Sequence, residues 1–141
     1  MGALGSDLLA VVARLNRLAN QRLRLSLPFA QARLLATIED RGPTRITDLA
    51  AIDHTSQPTM TTQVRRLENA GYVARTVDPT DARAVLISIT EQGTQVLARL
   101  RADRRATIRP YLEHLDPSER ESLAEAIRVL RGLLDDAEGD R

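Results

Sequence analysis

The 141-residue chain has no cysteine, no lysine and no tryptophan, and its aromatic side chains are one Phe and two Tyr. Without Cys there is no disulfide, no thiol redox sensor, no cysteine nucleophile and no Cys-ligated zinc module. His54 and His114 are its two histidines, too few for a His-rich metal centre, so neither metal nor cofactor is expected. The longest early apolar run, Leu8 to Ala13, falls far short of the roughly 20 residues that span a bilayer. Arg14 and Arg17 follow that run, the wrong side for a secretory signal, so a cytoplasmic protein with no membrane partner is expected. Enzyme signatures are missing too. There is no Gly-x-Ser-x-Gly elbow, no Gly-rich phosphate loop and no carboxylate pair beside a histidine.

What is present is an apolar fraction of 43%, enough at this length for one domain, 1–141, with a real core. All 20 basic residues are Arg, set against 19 acids. The near-neutral total hides a segregation: residues 1–33 carry a net +4, 34–40 a net −2, 41–110 a net +4 and 111–141 a net −5. A chain of this kind can turn one basic face toward an anionic polymer while its far end stays acidic.

Helical spacing of Leu8, Val11, Val12, Leu15 and Leu18 predicts an amphipathic helix from residue 7 to about 24, capped by Ser6. A second starts near Ser26-Leu27-Pro28, with Phe29, Leu34, Leu35 and Ile38 as its buried stripe, and stops at Arg41-Gly42-Pro43. A short helix over Ile46 to Ile52 follows. After Asp53-His54-Thr55, Ser56-Gln57-Pro58 opens another helix that ends at Gly71, with Pro in the first turn where its missing N–H is harmless. The period then becomes alternating. Residues 72–76 and 85–89 read as two strands around the turn Asp78-Pro79-Thr80-Asp81, with Val85, Ile87 and Ile89 on one face. Thr90 caps a long helix through about Arg109 that breaks near Pro110. Asp116-Pro117-Ser118-Glu119 starts the last helix, striped by Leu123, Ile127, Leu130 and Leu134.

On the helix after Ser56, Met60, Val64 and Leu67 share one face and fix it against the core. The opposite stripe, Pro58, Thr62, Arg65 and Asn69, is flanked by Thr61 on one side and by Thr59 and Arg66 on the other. These side chains are polar, mostly short and free of acids, which suits a major groove about 12 Å wide. Gln57 can pair with adenine, Arg65 with guanine or phosphate, and the threonines with a thymine methyl or a phosphate. In the hairpin, Asp81 and Arg83 either form an exposed ion pair or present one cation at a protruding tip, fit for the narrow minor groove. The run Arg99, Arg101, Arg104, Arg105 and Arg109 is either a second DNA patch or the solvated side of a long helix, pairing partly with the acidic C-terminal helix of its own or the partner subunit. Asp53-His54 reads as a surface connection rather than a metal or pH site.

The ordered set Leu27-Pro28-Phe29-Ala30-Gln31, Ile46-Thr47-Asp48-Leu49-Ala50, Thr59-Met60-Thr61, Arg66-Leu67-Glu68, Gly71-Tyr72-Val73, Asp78-Pro79-Thr80-Asp81-Ala82-Arg83 and Ile89-Thr90-Glu91-Gln92-Gly93 resembles the multiple antibiotic resistance regulator (MarR) family over residues 25 to 95. The resemblance implies a mainly α fold: a winged helix-turn-helix over 26–95 with a small β-hairpin wing, and dimerisation helices at 6–25 and 96–137. It further implies a transcriptional regulator of double-stranded DNA, dimeric and often released by a small ligand. Ser56, Gln57, Pro58, Thr59, Thr61, Thr62, Arg65, Arg66, Asp81 and Arg83 are then the DNA-binding candidates, Asp81 orienting the wing and Arg83 reaching DNA. Thr62 and Ala82 stand where many members carry a basic residue, so fewer cationic contacts are expected. Arg45 replaces the usual Ser or Thr before the third helix; it reaches a phosphate, or it leaves a weaker cap with Thr44 or Thr47 substituting. The reading from another class is a winged helix that docks on protein instead of DNA.

Overall fold

The computed structural model describes residues 1–21 and 27–139. It divides into two compact units, Arg22–Arg104 and Met1–Gln21 together with Arg105–Arg141.

The first unit holds α2 (Phe29–Arg41), β1 (Thr44–Arg45), α3 (Ile46–Ile52), α4 (Gln57–Asn69), β2 (Val73–Asp78), β3 (Asp81–Ile89) and the start of α5 (Glu91–Glu113). Its core takes Leu34, Leu35 and Ile38 from α2, Leu49 and Ala50 from α3, Met60, Val64 and Leu67 from α4, Val73 and Ile87 from the sheet, and Val96 and Leu97 from α5. Each fully buried Leu, Ile or Val contributes about 1.5–3 kcal/mol, and that sum holds α3 and α4 against α2 and the sheet. Phe29, expected in the buried stripe, is 53% exposed, and Gln31 is buried instead. Gln31, Leu34, Leu35 and Ile38 follow i, i+3, i+4, i+7, whereas Phe29 lies two residues before Gln31 and so falls on the opposite face.

The sheet has three antiparallel strands in the order β1-β3-β2. The sequence pattern gives no sign of β1, in which Thr44 pairs with Ile87 and Arg45 with Leu86. Between β2 and β3 the ladder is regular from Val73–Ile89 to Val77–Val85, then jumps so that Asp78 faces Asp81. The strands extend further toward the turn than residues 76 and 85, leaving Pro79 and Thr80 as the turn itself. Ile87 is fully buried, while Val85 is exposed near the tip.

The joints explain the punctuation. α4 ends in a Schellman pair, Tyr72 N–H donating to Leu67 O and Gly71 N–H to Glu68 O, both at 2.9 Å, with Gly71 at φ +82°. Thr90 caps α5 as expected, its Oγ1 accepting from Gly93 N at 3.1 Å, and the same hydroxyl donates to Gly71 O at 2.6 Å.

In the second unit α1 spans Gly2–Asn20 with Met1 as its cap residue, so Ser6 lies inside the helix rather than capping it. Gly5 N–H already donates to Met1 O, which carries the helix past the small residues. Residues 22–24 of the expected helix, and Ser26, lie outside the described residues. α5 continues through Pro110 to Glu113 instead of breaking there; the helix ends three residues later, so the proline costs one backbone hydrogen bond near a terminus. α6 (Pro117–Gly139) opens with a reciprocal box, Glu119 N–H donating to Asp116 Oδ1 at 2.8 Å and Asp116 N–H to Glu119 Oε2 at 2.9 Å. The predicted α6 stripe is present but uncovered: Leu123, Ile127 and Leu134 are exposed, as are Leu9, Val11 and Leu15 of α1.

Candidate nucleic-acid interface

α3 and α4 form the helix-turn-helix, joined through His54, a non-glycine residue at φ +51°. Ser56 caps α4, its Oγ accepting from Thr59 N at 3.3 Å and donating to Thr59 Oγ1 at 2.8 Å. Thr59 therefore keeps its own hydroxyl proton for an outside acceptor. Thr61 and Thr62 spend theirs on Gln57 O and Pro58 O, at 2.8 and 3.1 Å, so they offer a methyl and an oxygen lone pair outward. Gln57, Pro58, Thr59, Thr62, Arg65 and Arg66 are exposed and Thr61 is half-buried, while Met60, Val64 and Leu67 face the core. One side of α4 is thus anchored and the other is an open, acid-free surface. Among the described residues neither Arg65 nor Arg66 is held in an ion pair.

The wing is built from two successive side-chain turns. Asp78 Oδ1 accepts from Thr80 N at 2.8 Å and from Thr80 Oγ1 at 2.7 Å, and Asp81 Oδ1 accepts from Arg83 N at 3.0 Å. The Arg83 side chain is 93% exposed, and Asp81 touches it only loosely, at 3.5 Å. An exposed pair of this length is worth at most about 1 kcal/mol, so Arg83 is readily given up to another anion.

Arg45 neither caps α3 nor points free toward solvent. Its Nε and Nη2 both donate to Asp78 Oδ2, at 3.1 and 2.7 Å, and α3 has no side-chain cap at Arg45. Thr44 Oγ1 donates to Gly42 O at 2.8 Å. The Thr80 bonds, and after them the Arg45 bonds, hold the Asp78 carboxyl below the ordinary 3.8, at about 2. Sequence reasoning misses this pair because it joins residues 33 positions apart across a strand with no periodicity of its own. A second tie is Arg75 Nε to Glu68 Oε2 at 2.7 Å, between β2 and the end of α4.

Elsewhere Arg101 pairs with Glu39 of α2 at 2.8 Å and Arg109 with Glu113 of its own helix at 2.8 Å. Asp53 lies 3.4 Å from Arg33, in keeping with a surface connection.

A helix-turn-helix whose second helix turns an exposed face without acids outward, followed by a β-hairpin carrying an exposed, loosely paired cation, defines a winged-helix DNA-binding protein. Comparison with known proteins narrows this. The model of the MarR family matches residues 27–85. The uncharacterized HTH-type transcriptional regulator Mb0904 of Mycobacterium bovis is 31% identical over 135 residues, 95% of this chain and 94% of that protein. The HTH-type transcriptional repressor MdtR of Bacillus subtilis is 27% identical over 111 residues, 79% of this chain and 70% of its own. Among solved structures, transcriptional regulator Tm0710 from Thermotoga maritima matches with a TM-score of 0.83 at 25% identity, covering 100% of both chains. The chain belongs to the MarR family and is a DNA-binding transcriptional regulator.

Proposed function

We propose that the protein is a cytoplasmic, dimeric repressor that binds a pseudo-palindromic site in double-stranded DNA and is released by a small molecule. In this reading residues 1–141 form one MarR-like domain, with 26–95 as its DNA-binding part and 6–25 and 96–137 as its dimerisation helices. α4 enters the major groove with Ser56, Gln57, Pro58, Thr59, Thr61, Thr62, Arg65 and Arg66, and Arg83, oriented by Asp81, enters the minor groove. The observation that carries it is the division of α4 into a buried face of Met60, Val64 and Leu67 and an open face without acids. Groove depth and donor pattern favour base reading by Gln57 and Arg65 there, while negative potential favours Arg83 in the narrow groove. Dimerisation is supported by the uncovered apolar side chains of α1 and α6, and repression by the likeness to MdtR, named a transcriptional repressor. With one Phe and two Tyr, an effector pocket is either lined by aliphatic side chains and Arg rather than by aromatic rings, or absent.

The test is a titration of the wild type, Arg83→Ala and Gln57→Ala on a site selected from random DNA and on a scrambled duplex, at several salt concentrations. Arg83→Ala weakens both duplexes by similar factors and lowers the salt slope by about one unit per subunit. Gln57→Ala costs on the order of 1–3 kcal/mol on the selected site and relaxes one base pair per half-site, with little change in slope. Unaltered DNA affinity in both variants, with loss of a protein partner, gives the interaction-module reading instead.

A further inference from the structure

We propose that Arg45 is a positioning residue for the wing: by gripping Asp78 it fixes where Arg83 stands relative to α4. This deepens the reading of Arg83 given above and rests on it. Asp78 sits where the ladder jumps, since Val77 faces Val85 but Asp78 faces Asp81, so residues 82–84 have no partner on β2. Arg83 is carried on that unpaired stretch. Whatever holds Asp78 therefore holds the base of the segment that displays the cation. Asp78 is 7% exposed and its carboxylate is saturated: Oδ2 takes both Arg45 bonds and Oδ1 takes both Thr80 bonds. Arg45 lies on β1, the opposite edge of the sheet, and is paired to Leu86 of the central strand. Its side chain thus crosses β3 to tie the two outer strands together. Arg45 also directly precedes α3, the first helix of the helix-turn-helix. A single side chain therefore links the reading head to the wing, and a planar fork with two N–H groups on one oxygen resists rotation in a way that an ammonium does not.

The experiment is a double-mutant cycle on the selected DNA site with full-length protein: wild type, Arg45→Ala, Arg83→Ala and the double variant, with Asp78→Asn and Arg45→Lys alongside. Arg83→Ala lowers wild-type affinity about 10-fold per subunit, the order of one charge-assisted contact, and so about 100-fold for a dimer that places both wings. In the Arg45→Ala and Asp78→Asn backgrounds the same change costs under about 2-fold, because the tip is no longer held in place to be lost. Hydroxyl-radical protection in the wing's minor groove disappears in Arg45→Ala, while dG N7 protection under α4 remains, a split that general destabilisation does not produce. Arg45→Lys restores part of the protection. Multiplicative losses overturn the clamp and leave the role of Arg83 standing. A salt slope lowered by Arg45→Ala but not by Asp78→Asn also overturns it, since Arg45 then meets a phosphate itself. An Arg83→Ala change without effect in the wild type overturns the wing reading and the clamp together. If Arg45→Ala fails to fold, Arg45→Gln, which keeps a neutral donor beside Asp78, takes its place in the cycle: a smaller Arg83→Ala loss in that background supports the clamp, and an unchanged loss overturns it.

Discussion

Gly93→Ala puts a methyl group where the structure has no room for one. A Cβ at residue 93 would stand 2.2 Å from the Tyr72 carbonyl oxygen and 2.7 Å from Ile89 Cγ1, against the 3.0 Å that real Cβ contacts respect. The first obstacle is backbone, so relief requires the start of α5 to move by about 1 Å from the α4–β2 joint. That joint is stitched by Thr90 N–H to Tyr72 O at 3.0 Å, Thr90 Oγ1 to Gly71 O at 2.6 Å and Gly93 N–H to Thr90 Oγ1 at 3.1 Å. Overpacking costs about 1–3 kcal/mol, and loss of the stitching bonds about 1 kcal/mol each. The helix-propensity gain of Ala over Gly, about 1 kcal/mol at most, offsets part of this. The net is a destabilisation of roughly 2–5 kcal/mol, or a fall in Tm of roughly 6–20 °C for a chain of this size. With no Trp as a reporter, far-UV circular dichroism on heating, at one fixed protein concentration, is the assay. Gly132→Ala is the internal control: nothing lies within 4 Å of its Cβ in α6, so the same chemical change there raises Tm slightly. A Gly93→Ala protein as stable as the wild type would refute the packing argument for this joint.

Three further outcomes follow from other sites. His54 holds φ +51° between α3 and α4, so His54→Val, β-branched in the left-handed region, costs about 1–2 kcal/mol in thermal or urea unfolding, whereas His54→Gly does not. Asp78 is depressed from 3.8 to about 2 in the fold; its stabilisation is therefore complete above about pH 4 and fades as pH falls toward 2, so urea midpoints between pH 4 and 2 drop less in Asp78→Asn than in the wild type. Replacing Ile127 and Leu130 of α6 by Asp puts unpaired charges into the proposed seam between copies and costs several kcal/mol there; sedimentation shows monomers and operator binding is lost, whereas a folded wild-type monomer at micromolar concentration refutes the seam.

The parts of this fold that are legible in the sequence are those where a local rule acts within a few residues. α3 lies over Ile46–Ile52 and α4 follows Ser56-Gln57-Pro58 as expected, because capping, proline placement and the Met60, Val64, Leu67 period all agree. The open face of α4 follows directly from its buried one. β1 has two residues and no periodicity to detect; it exists because β3 offers an edge. Arg45 stands out in the sequence as a departure, but its partner depends on strand order, which neighbouring residues do not encode. Phe29 misleads because hydrophobicity outweighs phase: its position on α2 is set by Leu34, Leu35 and Ile38, not by its own side chain.

The pairing of arginines within the unit that holds α4 and the wing also sets how strongly salt should act on the proposed DNA contact. Arg45, Arg75 and Arg101 each lie against a carboxylate at 2.7–2.8 Å, so their charge is largely compensated at short range, whereas the exposed Arg33 meets Asp53 only at 3.4 Å. On α4 and the wing, Arg65 and Arg66 have no acid partner among the described residues, and Arg83 has only the loose, exposed Asp81. On α4 and the wing that makes three available cations per chain, six in a pair of chains. At about 0.9 unit of slope per neutralised phosphate, contacts from α4 and the wing alone give log K against log salt a slope of roughly −5. The measurement is fluorescence anisotropy of a labelled operator duplex over a series of salt concentrations. A slope near −5 that falls by about two units in Arg83→Ala, one per subunit, assigns the electrostatic contact to α4 and the wing. A slope of about −8 or steeper would sink that assignment, because the extra counterions must come from elsewhere, and the exposed Arg99 and Arg105 of α5 would then belong to the DNA surface.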